Sequence, residues 1–253
     1  VIPDADLRRA AALFGRACSI LFVTGAGISA DSGLPTYRGI GGLYDRETTE
    51  EGFPIEVALS GEMLRRNPGI CWKYIAEIEA ACRGARFNRA HEIVAELERE
   101  KERVCVLTQN VDGFHRAAGS ENVIAIHGDI HDLRCIGCDG TWRVADFAGL
   151  SIPPRCEHCG ACLRPGVVLF GELLPPGEVE ALERELRRGF DLVVSIGTSS
   201  VFPYIAGPVV DAARRGIPTI EIDPGETEIS GFVELRIREG ARVALERIRG
   251  AMT

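Results

Sequence analysis

An α/β architecture, a Rossmann-like parallel sheet domain with a smaller domain formed by a helical insertion and a four-cysteine zinc ribbon, is the fold this sequence predicts. Three observations predict it. Short apolar-rich runs of buried-strand length at 20–23, 104–107, 192–196 and 219–222 each end in a Gly-rich or polar turn, with helix-period stretches between them. A Gly25-x-Gly27-x-x-Ala30 turn follows the first run, where a strand must pass into a helix. Cys135-x2-Cys138 and Cys156-x2-Cys159, 17 residues apart, have the spacing of a tetrahedral four-thiolate zinc site.

Composition sets the bounds. The chain has 253 residues, 45% hydrophobic and 26% charged, enough for one sizeable core and a small appendage. The sequence shows neither an apolar run of about 18 residues nor a basic-then-apolar leader, so it reads without a membrane span or signal peptide. A net charge of −8 argues against direct nucleic-acid binding. Of nine cysteines, four fall into metal spacing and the rest lie singly, which fits a reducing cytoplasm.

Asp4 is placed to cap a helix carrying Leu7, Ala10, Ala11, Phe14 and Ala17, which leads into the first strand. At the turn that follows, glycines permit tight backbone and close approach of a pyrophosphate, and the next helix offers unpaired N–H groups. An ordinary dinucleotide fold would continue to a second strand ending in Asp or Glu roughly 20 residues later. Here Gly33, Leu34 and Pro35 cut the helix short, and Glu50 and Glu51 follow no strand, which disfavours a usual dehydrogenase. Residues 39–53 read as a loop beside the cofactor, and 54–83 as two helices broken near 67–69. In the second, 70–82, Trp72, Ile75 and Ile78 form an apolar stripe that reads as core.

Asn88 opens an amphipathic helix, and His91 at its start reads as capping or packing rather than catalysis. Ligands of open parallel sheets collect at the carboxyl ends of strands, so Gln109, Asn110 and Asp112 point at a site. An amide and a carboxylate together recognise a primary carboxamide such as that of nicotinamide. A short strand at 122–126 ends at His127-Gly128; histidine is the commonest general base near neutral pH, and the glycine leaves room for substrate. His115, His131 and His158 are assigned no chemistry. Four thiolates fill a zinc coordination sphere, making the metal structural. Cys162 leaves an alternative register, Cys159-x2-Cys162, open, and a nucleic-acid zinc ribbon is the rival reading, weakened by few basic or aromatic residues. Residues 164–172 read as an apolar strand. Gly197, Thr198 and Ser199 form a turn suited to phosphate or ribose. Asp223, at a later strand end, accepts from a ribose hydroxyl and repels a 2′-phosphate, favouring NAD over NADP. A last strand, 233–237, and helix, 241–248, bring Ala241 near where the adenine belongs.

Taken in order, residues 24–39, 108–112, 126–128, the four cysteines, 164–172 and 197–200 resemble the sirtuins of prokaryotic type, NAD-dependent protein-lysine deacylases. The resemblance implies NAD as co-substrate, one structural zinc ion and acyl-lysine proteins or peptides as substrates. It implies a cofactor site of Gly25, Ala26, Gly27, Ser29, Asp31, Tyr37, Arg38, Gln109, Asn110, Asp112, Gly197, Thr198, Ser199, Asp223 and Ala241. His127, Asn110 and Asp112 are the implied catalytic residues. The family pattern of Cys-Gly followed by Leu-Arg-Pro selects Cys135, Cys138, Cys156 and Cys159 as ligands and leaves Cys162 spare.

A substrate peptide is expected to pair with backbone along 168–172, with Val168 and Phe170 lining the acyl-lysine channel and Leu169, Gly171 and Glu172 beside them. Leu169 stands where the family often has Trp, Tyr37 where it usually has Phe, and Asp223 where it often has Asn. Sirtuins that prefer acidic acyl groups carry Tyr-x-x-Arg where Tyr74 and Glu77 align, so Glu77 disfavours succinyl or malonyl groups and favours neutral ones; Arg83 and Arg86 are the alternatives if the alignment shifts. The expected domains are a discontinuous sheet domain of 1–38, 85–130 and 165–253, a cofactor loop and helical insertion at 39–84, and a zinc ribbon at 131–164.

By the same resemblance, the acyl oxygen attacks C1′ of the nicotinamide ribose, nicotinamide leaves, and His127 acts as base on a ribose hydroxyl to yield O-acyl-ADP-ribose and free lysine. Mono-ADP-ribosyl transfer and a non-catalytic NAD sensor remain the alternatives. Protein substrates, acyl chain length and oligomeric state are not legible.

Overall fold

In the computed structural model, residues 2–34 and 48–252 are described. Six strands form the main sheet: β1 (Ser19–Thr24), β2 (Arg103–Thr108), β3 (Val123–Ala125), β7 (Leu192–Ile196), β8 (Thr219–Ile222) and β9 (Leu235–Ile237). Their order is β3-β2-β1-β7-β8-β9, and every pairing is parallel. The apolar runs are nearly continuous because both faces of this sheet are covered. Strand periodicity sends Ile20 and Phe22 to one face, with α1 (Asp4–Arg16), α5 (Arg89–Glu100) and α9 (Ala241–Ala251). It sends Leu21 and Val23 to the other, with α7 (Pro176–Arg188) and α8 (Pro203–Arg214). From β1 the order runs outward in both directions, so the switch point lies between β1 and β7, where an open α/β sheet leaves a crevice beyond its strand ends.

The second sheet is antiparallel, with order β5-β4-β6: β4 (Gly128–Cys135), β5 (Thr141–Arg143) and β6 (Leu163–Val167). It packs with α2 (Ile55–Ala58), α3 (Gly61–Arg66) and α4 (Pro68–Cys82) around Trp72, which is fully buried and donates from Nε1 to the Leu163 carbonyl at 2.8 Å. Ile75 is buried in the same cluster and Ile78 is partly buried against it, as the stripe predicted.

Four expectations need correction. Asp4 is the first residue of α1 rather than its cap; Pro3 holds the cap position without a side-chain bond, and Asp4 and Asp6 lie in the first turn, where negative charge suits the helix dipole. The segment before Asn67 is two helices, because Ser60 caps α3 by accepting from the Met63 amide at 3.0 Å. The strand expected over 164–172 stops at Val167, opposite Gly128, where its partner β4 begins. Beyond it the chain turns around Glu172, which accepts from the Leu169 amide at 3.0 Å and pairs with Arg164 at 2.7 Å. The space freed by Gly128, φ +83°, serves the chain itself: a Cβ there would lie 1.9 Å from the Gly166 carbonyl oxygen.

Candidate functional site

The carboxyl ends of β1, β2, β3 and β7 meet at the switch point. β1 runs into a 3-10 helix, Ala26–Ser32, that ends on Gly33 in the left-handed region. The two glycine turns interlock: the Gly25 amide donates to the Ile196 carbonyl at 3.1 Å, and the Gly27 amide to the Gly197 carbonyl at 2.8 Å. A Cβ on Gly27 would sit 2.5 Å from Gly197 Cα, and one on Gly25 2.7 Å from the Gly197 oxygen. Glycine is thus required there by backbone-to-backbone packing of the two turns. Thr198 is buried and Ser199 exposed. Ser200 is held at φ +56°, an uncommon conformation for a residue with a Cβ, and its amide donates to Thr198 Oγ1 at 3.2 Å.

Around this seam the polar side chains at the end of β2 form one network. Gln109 donates from Nε2 to Thr198 Oγ1 at 2.7 Å, joining β2 to the β7 turn. Asn110 donates from Nδ2 to the Gly25 carbonyl at 3.0 Å, fixing which end of its amide is turned to the loop. Ser29 donates to Asp112 Oδ2 at 2.7 Å, and Asp112 Oδ1 accepts from the Phe114 amide at 2.9 Å. Burial raises the Asp112 carboxyl above its usual value, while the bonds from Phe114 and Ser29 hold it down. His91 caps α5 as expected: its Nδ1 accepts from the Asn88 amide at 3.2 Å, and it is fully buried. His115 is buried as well, with Nε2 3.0 Å from Thr24 Oγ1.

His127 follows β3 and stands half-buried. Its Nδ1 is 3.2 Å from the Gln109 carbonyl oxygen, which only accepts, so Nδ1 carries the proton and Nε2 is the basic nitrogen. Burial pushes this imidazole below its usual value, with the Gln109 carbonyl opposing that shift. Nε2 lies 2.7 Å from the hydroxyl of Tyr204, a neighbour that sequence reading missed. The available signal was a tyrosine at the start of the helix leaving the Gly197–Ser200 turn.

The remaining expected residues spread outward. Asp31 accepts from the Arg242 amide at 3.3 Å, tying the 3-10 helix to α9, whose first residue is the buried Ala241. Asp223 follows β8 and accepts from the Gly225 amide at 2.8 Å; burial raises its carboxyl. Tyr37 and Arg38 lie outside the described residues. Tyr74 is buried on α4 with its hydroxyl bonded to Glu51, while Glu77 is exposed on the same helix. The amides of Val168, Leu169, Phe170 and Glu172 are all used within the chain, by His127 O, Glu172 Oε2, Leu59 O and Leu169 O. Gly171 follows at φ +78°. A peptide pairing along this segment would meet carbonyl acceptors rather than free amides.

The four cysteines converge at the end of β4. Their sulfurs all lie within 4.8 Å of one another, with Cys135 Sγ to Cys159 Sγ 3.4 Å and Cys138 Sγ to Cys156 Sγ 3.7 Å. Disulfides would need about 2.05 Å, whereas tetrahedral zinc at about 2.3 Å from each sulfur sets them near 3.8 Å apart. The donor set therefore fits one zinc ion. Cys162 is buried outside the cluster and donates to the Leu163 carbonyl at 3.1 Å.

The Sir2 family model matches residues 25–203, more than half of the chain. The chain belongs to the Sir2 family. This sirtuin is 52% identical over 230 residues, 88% of each chain, to the NAD-dependent protein deacylase 2 of Pseudomonas aeruginosa. Among solved structures, it is similar to a Sir2 homologue in complex with NAD, at 35% identity and TM-score 0.83 over 99% of this chain and 94% of the other. It is also similar to a Sir2 variant, with one histidine replaced by alanine, bound to a deacetylated p53 peptide and 3′-O-acetyl ADP-ribose, at 26% identity and TM-score 0.86 over 98% and 99%. In this sirtuin the side chains gathered at the switch point, Gln109, Asn110, Ser29, Asp112 and Thr198, are neutral or acidic hydrogen-bonding groups. Among the described residues, no helix is long and apolar enough to cross a membrane.

Proposed function

We propose that this sirtuin is an NAD-dependent protein-lysine deacylase acting on neutral acyl groups, acetyl first among them, and releasing nicotinamide, O-acyl-ADP-ribose and free lysine. The observation that carries the reading is the convergence of His127, Asn110 and Asp112 with the interlocked Gly25–Gly27 and Gly197–Ser199 turns at the switch point of the sheet. The deacylase named above, at 52% identity, supports it.

Bound NAD supplies an electrophilic ribose carbon with nicotinamide as its leaving group. Around it, Asn110 and Asp112 bind the carboxamide. Ser29 orients the Asp112 carboxylate through its 2.7 Å bond, and Gln109 with Thr198 and Ser199 holds the ribose and phosphate side. Asp31, Asp223 and Ala241 border the adenosine half, and Tyr37 and Arg38 complete the reading from outside the described residues. His127 holds Nε2 unprotonated at neutral pH and serves as the base for a ribose hydroxyl.

Val168, Leu169 and Phe170 border the acyl-lysine channel, with Gly171 and Glu172 at its end. The neutral-acyl preference follows from charge. Tyr74 is bonded to Glu51, Glu77 is exposed on the same helix, and Arg83 is held by buried Glu79, so none of these three offers a free cation to an acyl carboxylate.

The domain division at 1–38, 85–130 and 165–253 with insertions at 39–84 and 131–164 belongs to the same proposal, supported by the separate core around Trp72. A cytoplasmic setting is supported by the nine cysteines, none of which is paired in a disulfide.

The test is an acyl panel on one peptide with NAD, reading peptide mass and nicotinamide together. Acetyl and longer neutral groups are expected to leave at least about tenfold faster than succinyl, the scale of one unfavourable charge contact. Preferential succinyl removal would overturn the acyl preference, and addition of ADP-ribose to the peptide would overturn the deacylase reading.

A further inference from the structure

His127 does not face open space with its basic nitrogen. Its Nε2 lone pair is occupied by the Tyr204 hydroxyl at 2.7 Å, and because Nδ1–H is committed to the Gln109 carbonyl, Tyr204 must be the donor. The tyrosine is held on several sides. Its ring stacks on Phe202 with centroids 5.4 Å apart and planes 12° apart, and both rings meet the imidazole edge-on, at 5.8 Å for Tyr204 and 6.0 Å for Phe202. Its backbone is fixed between Pro203 and the fully buried Ile205 in the first turn of α8. A ligand hydroxyl approaching His127 would have to strip the Tyr204 hydroxyl from Nε2 and break the aromatic stack. Alternatively it could hand its proton to the tyrosine oxygen.

We propose that Tyr204 is a further catalytic residue, a proton relay through which His127 acts on the substrate hydroxyl. This rests on His127 being the base of the proposed deacylation. The step balances without a further reagent. The ligand O–H bond breaks and its proton bonds to the tyrosine oxygen, while the original tyrosine O–H bond breaks and its proton bonds to Nε2. The ligand oxygen keeps the electron pair as a nucleophile, imidazole becomes imidazolium, and the tyrosine ends neutral. A phenol hydroxyl suits the position because it accepts and donates at once.

Tyr204→Phe keeps the ring stack and deletes the oxygen, and it is tested with His127→Ala beside it. In ligand-free protein, the ¹⁵N resonance of His127 Nε2 should move toward that of a free imine nitrogen in Tyr204→Phe. In turnover with NAD and acetyl-lysine peptide, Tyr204→Phe should slow acyl removal about 100-fold, the scale of a lost acid–base group, while first-turnover nicotinamide release falls less than about threefold. The parent should give a curved proton inventory in mixed light and heavy water, reporting two protons in flight, and Tyr204→Phe a linear one.

Deacylation by Tyr204→Phe within about threefold of the parent, an unmoved ¹⁵N resonance, or equal loss of nicotinamide release would overturn the relay. Full deacylation by His127→Ala would instead overturn the base assignment on which it rests.

Discussion

At the scale of single residues, the site is a set of strand-end side chains whose protonation the fold controls. Nδ1 of His127 is committed to the Gln109 carbonyl and burial disfavours the imidazolium, so the proposed base stays neutral at neutral pH. The acid limb of the deacylation rate should therefore lie below the ordinary histidine value of about 6.5, and His127→Ala should cut the rate by about 10² to 10⁴. An acid limb above that value would contradict the assignment. Glycines separate by what surrounds them. Gly27→Ala should cost about 2 kcal/mol in urea denaturation, because its Cβ would meet Gly197 backbone at 2.5 Å. Gly207→Ala, in α8 with open space around it, should be neutral or stabilising by up to about 1 kcal/mol. Equal costs at the two positions would remove the interlocking-turn account. Sequence pattern singled out His127, Asn110 and Asp112 as candidates because each follows a strand end. It did not expose Tyr204, whose partner lies 77 positions away with no spacing rule between them.

Elements were legible in proportion to how local their causes are. The strand runs and cysteine pairs are local patterns, and the structure has them where the sequence put them. Strand β6 was read too long because its end is set by β4, and an apolar run carries no record of where its partner begins. The short helices α2 and α3 were merged although Ser60-Gly61, a local turn signal, stands between them and Ser60 caps the second. The zinc element gives a direct test. Cys159→Ala should abolish stoichiometric zinc and loosen the neighbouring core around Trp72, read as a red-shifted tryptophan emission. Cys162→Ala should keep its zinc and lose about 1 kcal/mol for the small cavity. Metal analysis with the opposite pattern would restore the other cysteine register.

For the whole molecule, two buried histidines couple folding to pH. Burial lowers His91 to about 4 and drives His115 down as well, so unfolding takes up protons below the ordinary value of about 6.5. Stability should be unaffected by these groups above that value, fall as pH drops through the window, and lose about 3 kcal/mol from His91 alone by about pH 4. Asp112 and Asp223, raised by burial, oppose this at the acid end. Melting curves of the parent and of His91→Gln, which keeps a capping side chain, should diverge between about pH 7 and pH 5, with the variant less acid-sensitive. Parallel curves would contradict the linkage.

The central claim is that the switch-point site removes an acyl group from lysine at the expense of NAD. One measurement bears on it most directly: purified protein with NAD and an acetyl-lysine peptide, with peptide mass and nicotinamide followed in the same tube. One nicotinamide released for each acetyl group lost, with acetyl loss abolished in His127→Ala, is the expected result. Acetyl loss without NAD, or nicotinamide release with the peptide unchanged, would contradict it.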